Sequence, residues 1–276
     1  MPFDRLTVFW IAIGVALLLF LAGLGIKVAF WSQGNLRDQR GRRVTQRKAW
    51  VVFTLAAQSA LQRLGAAVSY LVLDGLLHRR LLQENRYRWV CHFLLLAGFF
   101  SLFALSIFTG FFEEILHQFL RLDTPLVRFV INKDTPLMAV LNESLGLLIL
   151  AGLLLTLIRR YIQRPAQLRT TTFDTSTLVL LAIIMLTSYP LEAMRLLMER
   201  VPPAAAWYSF IGYPLSLAMQ PLNLRWELWH YWTFMVHIAA CIALLISMPF
   251  SKFFHVLIGP IIATANQLAG RREVRS

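Results

Sequence analysis

Three of the six histidines lie within or beside one apolar segment, 229–260, which reads WHYWTFMVHIAACIALLISMPFSKFFHVLIGP. His237 and His255 are eighteen residues apart, about five turns of an α-helix, so both point from one helix face. At ~1.5 Å per residue this spacing covers about 27 Å, close to the ~30 Å hydrocarbon thickness of a bilayer. Imidazole is the usual axial ligand of electron-transfer heme iron, so the pair indicates one ligand towards each side of a membrane. Pro249 is expected to bend or end the regular helix before His255.

The composition is typical of a polytopic membrane protein. Of its 276 residues 58% are hydrophobic, the mean hydropathy is +0.61, and no long polar stretch could form a soluble domain. The formal charge of +13 falls in short loops between apolar segments, where the positive-inside rule explains it better than a nucleic-acid partner does. The opening MPFDRLTVFW has no basic n-region and no small-residue cleavage site, which favours a retained first helix over a signal peptide.

The two cysteines, Cys91 and Cys241, stand apart within apolar stretches. The sequence has no CxxC pair for zinc, no CxxCH for covalent heme and no iron–sulfur ligand set. Any redox centre must therefore be held by histidine.

Five apolar runs have the length of membrane-spanning helices, which predicts an all-α membrane protein. Lys and Arg concentrate in the loop 37–48 and at the junctions on the same side, whereas the opposite loops carry acidic residues. This pattern places the N-terminus outside and the C-terminus in the cytoplasm. We therefore expect the chain to lie in the cell inner (cytoplasmic) membrane. The five runs lie at 7–30, 89–112, 136–158, 175–197 and 229–249.

A sixth apolar run, 50–77, is not counted as a span. If it crossed, the basic clusters 37–48 and 79–88 would lie on opposite sides of the membrane. Its polar residues, from Thr54 to Arg63, also form one stripe at helical spacing. Both facts favour an amphipathic helix on the cytoplasmic face. The whole chain is thus predicted to be one integral membrane domain, 1–276.

This topology sets the depth of the other histidines. His92 lies near the cytoplasmic start of the second helix, and His255 lies just past the cytoplasmic end of the fifth. The two are at matching depth, so they could clamp one heme between two helices. His117 follows the second helix on the outer side, and His230 sits at the outer end of the fifth.

The fifth segment resembles the last helix of the respiratory nitrate reductase gamma subunit, with its two histidines and a PFSKFFH phrase around the later one. Other phrases are more similar to the membrane cytochromes of heterodisulfide reductase and of the sulfite-reduction-associated membrane complex. They are DGLLHRRL with RYRWVCH, RRYIQRPAQLRTTTFD before the fourth helix, and TSYPLEAMR at its outer end. The similarity covers all five helices.

This resemblance implies a cytochrome b that exchanges electrons with membrane quinone as its substrate. Its partner would be a cytoplasmic iron–sulfur or catalytic subunit of a hetero-oligomeric complex, in which the chain is an electron-transfer subunit. Applied to this chain, the resemblance implies that His92 and His255 ligate the heme b on the cytoplasmic side. This agrees with their matching depth.

The outer heme has a less regular ligand set. Ten residues after His92, where the nitrate reductase gamma subunit has its second ligand on this helix, the chain has Leu102, which cannot bind iron. His237 then needs His117 or His230 as a partner. His230 is on the same helix and roughly the same face as His237, so it cannot supply the opposite axial bond to one iron. His117 lies about 37 Å along an ideal helix from His92, against about 27 Å between the two fifth-helix ligands, so it has to fold back. We expect two hemes, with one as the alternative.

Polar groups near the outer heme are candidates for a quinone site. Glu192 and Arg195 are three residues apart and could pair with each other; for Arg195 a surface ion pair or a heme-propionate contact stays open. A carboxylate beside a histidine would accept a proton from quinol. The quinone candidates are Glu192, Arg195, Tyr189 and His230, and the propionate candidates are Arg86, Arg88 and Lys252, for which positive-inside anchoring is the alternative.

Two rival functions are weighed against the cytochrome. The first is a heme-poor membrane anchor that docks a soluble redox complex; the arrangement of His92, His237 and His255 argues against it. The second is a small transporter, which the lack of an internal repeat and of paired Gly/Pro-broken helices disfavours.

Overall fold

The computed structural model describes residues 5–33, 61, 64–166, 171–251 and 254, and the regular elements within them are all helices. The described residues belong to two compact units, one drawn from 1–89 and 242–276 and the other from 90–241. The α-helices are α1 (Arg5–Gln33), α2 (Leu64–Tyr70), α3 (Arg79–Glu84), α4 (Arg86–Gly110), α5 (Pro125–Ile131), α6 (Pro136–Leu157), α7 (Thr172–Glu199), α8 (Pro203–Ala206), α9 (Gly212–Met219) and α10 (Trp226–Ser247). Three π-helical stretches follow α2, α4 and α6, at Leu71–Leu76, Phe111–Phe119 and Ile158–Gln163, and 3₁₀ turns lie at Gln220–Leu222 and Met248–Phe250.

The five predicted spans are confirmed as helices. Within the described part of the chain, five helices are long and apolar enough to cross a membrane, and they are built on α1, α4, α6, α7 and α10. The second continues to Phe119, past its predicted end at 112, because a wide π-helical stretch extends α4 without a break. The predicted orientation in the membrane and the single domain stay predictions.

The sixth apolar run is described only in its second half. There it is helical, first as α2 and then as the π-helix Leu71–Leu76. The first half of the predicted amphipathic helix lies outside the described residues, so its place on the cytoplasmic face stays a prediction.

Pro249 ends the regular part of the fifth span, as predicted. α10 stops at Ser247 and gives way to the 3₁₀ turn that contains Pro249. Proline lacks the N–H that an α-helix needs and clashes with the preceding turn. This turn packs against α1 at Gly23, where an added Cβ would lie 2.8 Å from the ring of Phe250. A larger residue at this position would require the Phe250 ring to shift.

Two glycines let α4 and α6 approach closely in the second unit. A Cβ on Gly98 of α4 would lie 2.9 Å from the backbone N of Ile149, and a Cβ on Gly152 of α6 would lie 2.6 Å from the backbone N of Leu95. Membrane helices associate through such close backbone packing, because lipid provides no hydrophobic drive between them. Reciprocal glycines therefore fix the contact between these two helices.

The start of α7 is defined by a capping box. Thr171 accepts a hydrogen bond from the backbone N of Asp174, and the Asp174 carboxylate accepts one from the backbone N of Thr171 at 3.0 Å. The same carboxylate lies 3.1 Å from Arg160 on the π-helix that ends α6, and Tyr161 donates to Thr175 at 2.9 Å. These contacts hold the end of one span to the start of the next.

Candidate functional site

His237 contacts a threonine on a neighbouring helix. His237 lies on α10 and Thr187 on α7, both in the second unit, and the His237 Nδ1 to Thr187 Oγ1 distance is 2.8 Å. Both side chains are half-buried. The contact leaves Nε2 as the ring nitrogen that is not engaged with Thr187. An imidazole with one nitrogen hydrogen-bonded and the other available is what a heme iron ligand requires, so His237 fits that group.

The predicted cytoplasmic-side ligands are described only in part. His92 lies in the second turn of α4 and is half-buried, next to the buried Cys91. His255 and Lys252 lie outside the described residues. The pairing of His92 with His255 therefore stays a prediction.

The other candidates on this side are exposed. Arg86 and Arg88 lie in the first turn of α4. Arg88 is within 4.0 Å of Glu84, in a pair whose side chains are 47% and 68% exposed. An exposed pair of this kind contributes little to stability, so it does not fix the position of the Arg88 side chain.

His117 lies on the π-helix Phe111–Phe119, the segment that prolongs α4. Its Nδ1 is buried and has no hydrogen-bond partner among the residues that the structure describes. A buried ring nitrogen is costly to leave unsatisfied, and π-helical stretches recur at functional sites. Both facts favour a role for His117 in binding a group that the described residues do not supply.

Leu102, at the position ten residues after His92, is half-buried on α4.

His230 is placed one helix turn from an aromatic ring. It is half-buried on α10, and its ring lies 6.3 Å from that of Phe234 with an interplanar angle of 10°. The four-residue spacing of the two side chains puts them on one helix face.

Arg195 is the centre of an ion network. Its Nη2 donates to Asp134 at 2.7 Å and to Glu192 at 2.9 Å, its Nε donates to Glu192 at 3.0 Å, and its Nη1 donates to Glu199 at 2.6 Å. The predicted pairing with Glu192 is therefore present and is bidentate, the strongest geometry for a guanidinium and a carboxylate. Asp134 comes from the loop between α5 and α6, so this Arg195 network ties that loop to α7.

Glu143 is a buried carboxylate next to this network. It lies on α6 with 4% of its surface exposed, and its two oxygens accept from the backbone N of Ile211 at 2.9 Å and of Gly212 at 3.1 Å. These are the first N–H groups of α9, so Glu143 caps a helix from another part of the chain. A Cβ on Gly212 would lie 2.7 Å from Glu192 Cγ and 3.0 Å from Glu143 Oε1. Gly212 therefore lies between the two glutamates, where a side chain would clash with both.

Tyr189 and Ser209 complete this group of polar side chains. The Tyr189 hydroxyl donates to the backbone carbonyl of Glu143 at 3.2 Å, and the buried Ser209 hydroxyl donates to Glu192 Oε1 at 3.1 Å. Gly146 makes room for the tyrosine, because a Cβ there would lie 2.9 Å from its hydroxyl. The structure thus brings three of the four quinone candidates, Tyr189, Glu192 and Arg195, into one polar group on α7.

Sequence reasoning missed several members of this group. Glu143 could have been found, because it is the one carboxylate within the apolar run 136–158, and ionisable side chains inside membrane spans are rare. Thr187 and Ser209 carry no such signal, since hydroxyl residues are common in membrane helices and loops. Among the described residues, no three His, Cys, Asp or Glu side chains group to hold a metal ion, whereas a heme iron takes two axial ligands.

The fold and the comparisons together define the class: a multi-pass membrane subunit of a redox complex. The profile of the nitrate reductase gamma subunit matches residues 124–268, more than half of the chain. The chain belongs to the nitrate reductase gamma subunit family, as its resemblance predicted.

Relatives with similar sequences extend over nearly the whole chain. One subunit of the dihydromethanophenazine:CoB–CoM heterodisulfide reductase from Methanosarcina thermophila is 24% identical over 269 residues, which cover 92% of this chain and 89% of the relative. The corresponding subunit from Methanosarcina barkeri is 22% identical over 268 residues, with the same coverage. No solved structure matches the chain.

Proposed function

We propose that the chain is the heme b-containing membrane subunit of a respiratory redox complex, which passes electrons between membrane quinone and a cytoplasmic iron–sulfur or catalytic subunit. The observation that carries the proposal is the contact between His237 of α10 and Thr187 of α7. It lies in a chain that belongs to the nitrate reductase gamma subunit family. A histidine engaged at Nδ1 and available at Nε2 is suited to bind iron.

Four histidines are assigned to two hemes. His92 and His255 would hold the heme on the cytoplasmic side, an assignment that rests on the sequence. His237 and His117 would hold the outer heme. The buried Nδ1 of His117, which has no hydrogen-bond partner among the described residues, supports a role as a ligand-binding side chain. Heme b between two imidazoles supplies one-electron transfer and offers no open position to a substrate.

The polar group on α7 would serve the quinone. Glu192 is held by Arg195 and Ser209, and Tyr189 is oriented by the Glu143 carbonyl, so these side chains are ordered before a ligand arrives. A carboxylate such as Glu192 would accept a proton from a quinol hydroxyl, and His230 on α10 is a further candidate for that contact.

The relatives support a soluble partner. Their name describes a dihydromethanophenazine:CoB–CoM heterodisulfide reductase, and the similar chain is one subunit of it. By analogy, this chain would connect a membrane-soluble electron carrier to a subunit that acts on the final acceptor. The basic loops of the predicted cytoplasmic face would face that subunit.

A pyridine hemochrome assay with heme counted per purified chain tests the proposal. We expect two hemes b in the wild type, loss of one in His92→Ala and His255→Ala, and loss of the other in His237→Ala and His117→Ala. His230→Ala is the matched control, a histidine on the same helix as His237 that is expected to keep both hemes.

Two results would change the proposal. One heme that is lost in His92→Ala and kept in His237→Ala would leave a single-heme relay on the cytoplasmic side. A chain without heme would exclude the cytochrome and leave the membrane anchor as the function. Reduction of the hemes by added quinol, followed by difference spectra, then tests the electron donor.

A further inference from the structure

We infer that Thr187 is a positioning residue for His237: its hydroxyl oxygen accepts the Nδ1–H bond and thereby holds the imidazole with Nε2 free to bind iron. The inference rests on the outer heme of the proposed function. It assigns a role to a threonine on α7, one span away in sequence from the histidine that it serves.

The direction of the hydrogen bond follows from the other contacts of the hydroxyl. Thr187 Oγ1 lies 2.7 Å from the carbonyl oxygen of Ile183 and 3.0 Å from that of Ile184. A hydroxyl has one proton, and at 2.7 Å from a carbonyl oxygen that proton must point to the carbonyl, since two oxygen lone pairs would otherwise repel. The remaining lone pairs of Oγ1 can only accept, so His237 Nδ1 is the donor.

The tautomer of the ring follows from this direction. Because a neutral imidazole carries one N–H, a proton at Nδ1 leaves the lone pair on Nε2. The protein therefore selects the tautomer that binds metal through Nε2, before any metal is present.

A threonine is suited to this task inside a membrane span. Its hydroxyl bonds to the carbonyl four residues earlier in its own helix, which fixes the side-chain rotamer and directs the lone pairs to the neighbouring helix. Accepting Nδ1–H also makes the imidazole a stronger donor to iron, and loss of such a partner typically weakens metal binding ~10–100-fold.

The test compares three variants of the full-length subunit in its complex. Thr187→Val keeps the shape and removes the acceptor, Thr187→Ser restores the hydroxyl, and Thr177→Val is the matched control. Thr177 lies on the same helix, and among the described residues its hydroxyl bonds only to a backbone carbonyl of its own helix, that of Phe173 at 2.9 Å. The readouts are the midpoint potential of each heme, from optical redox titration, and retention of each heme against transfer to apomyoglobin.

We expect Thr187→Val to raise the midpoint potential of the outer heme, because a weaker imidazole donor stabilises ferric iron less. Its affinity for that heme should fall about 10–100-fold, while the inner heme is unchanged. Thr187→Ser and Thr177→Val should both behave as the wild type.

Outer-heme values in Thr187→Val that equal those of the wild type would overturn the role of Thr187 and leave the diheme function standing. An equal shift in Thr177→Val would overturn it too, since it would show a general effect of the helix. A wild-type chain with only the cytoplasmic-side heme would overturn the outer heme itself, and the inference with it.

Discussion

Arg195 and Arg128 both bind the carboxylate of an aspartate in the second unit, yet their surroundings differ. The Arg195 side chain is 11% exposed and binds three carboxylates, from Asp134, Glu192 and Glu199. The Arg128 side chain is 68% exposed and, within the described ranges, binds one carboxylate, that of Asp123. Water solvates and screens the exposed pair, whereas the buried network must satisfy its own charges.

The difference shows which ion pairs organise the fold. The Arg195 network joins the loop before α6 to α7, and Ser209 connects it to the segment that precedes α9. The Asp123–Arg128 pair links two residues five positions apart at the start of α5, where Thr124 already caps the helix. Long-range, buried contacts fix the arrangement of elements, and a local, exposed pair does not.

The largest effect is expected from Arg195→Ala. Removal of one partner of a buried ion pair typically costs ~3–5 kcal/mol, because it leaves the other charge buried and uncompensated. Here Asp134 and Glu192, each 27% exposed in its side chain, would lose their shared cation. The free energy of unfolding, measured by SDS titration in mixed micelles, should fall by up to that amount, since both carboxylates keep some contact with water.

Arg195→Lys serves as the control for this variant. Lysine keeps the positive charge and loses the planar fork that donates twice to Glu192, so its loss of stability should be intermediate. A loss in Arg195→Ala no greater than that in Arg128→Ala would contradict the distinction between the two regions.

A smaller effect is expected from Glu143→Ala, which removes the cap of α9. The backbone N–H groups of Ile211 and Gly212 would remain buried without their acceptor, at a cost of about 2 kcal/mol. The same SDS titration measures it. Asn142→Ala is the control on the neighbouring position, because Asn142 is exposed and its side chain bonds, in the part of the chain that the structure describes, only to Met138 of its own helix. A loss in Glu143→Ala that matches the control would show that water replaces the carboxylate.

The spans could be predicted from the sequence because each is a local property. An apolar run of membrane length specifies a helix, and Pro249 marks where the last one stops being regular. The pairing of Glu192 with Arg195 was predictable for the same reason, since a spacing of three residues brings two side chains together on any helix.

The partners of the site could not be predicted, because they depend on tertiary packing. Asp134 is 61 residues from Arg195, and the acceptor groups of Glu143 meet N–H donors 68 and 69 residues away. Backbone N–H groups at the start of a helix leave no trace in the sequence that would identify their distant acceptor. The role of Thr187 could not be predicted either, since only the contact between α7 and α10 shows that its hydroxyl faces His237.

The smallest effect is expected from Arg128→Ala, which should leave the free energy of unfolding at neutral pH unchanged within the error of the SDS titration. The pair is exposed, and side-chain entropy and solvation offset its attraction. A loss that approaches the one in Arg195→Ala would mean that this pair is shielded from water, for instance by the partner subunit.

The pH dependence of this pair sharpens the comparison. The hydrogen bonds from Arg128 hold the pKa of Asp123 below its ordinary value. A carboxyl group whose pKa is lower in the folded than in the unfolded chain stabilises the fold above the unfolded-state pKa. That contribution disappears as the pH falls through the lowered pKa of Asp123, so any small advantage of the wild type over Arg128→Ala should vanish in acid. It should also shrink at high salt, because the Debye length at 1 M is only about 3 Å. An advantage that survives both changes would come from packing of the Arg128 stem rather than from its charge.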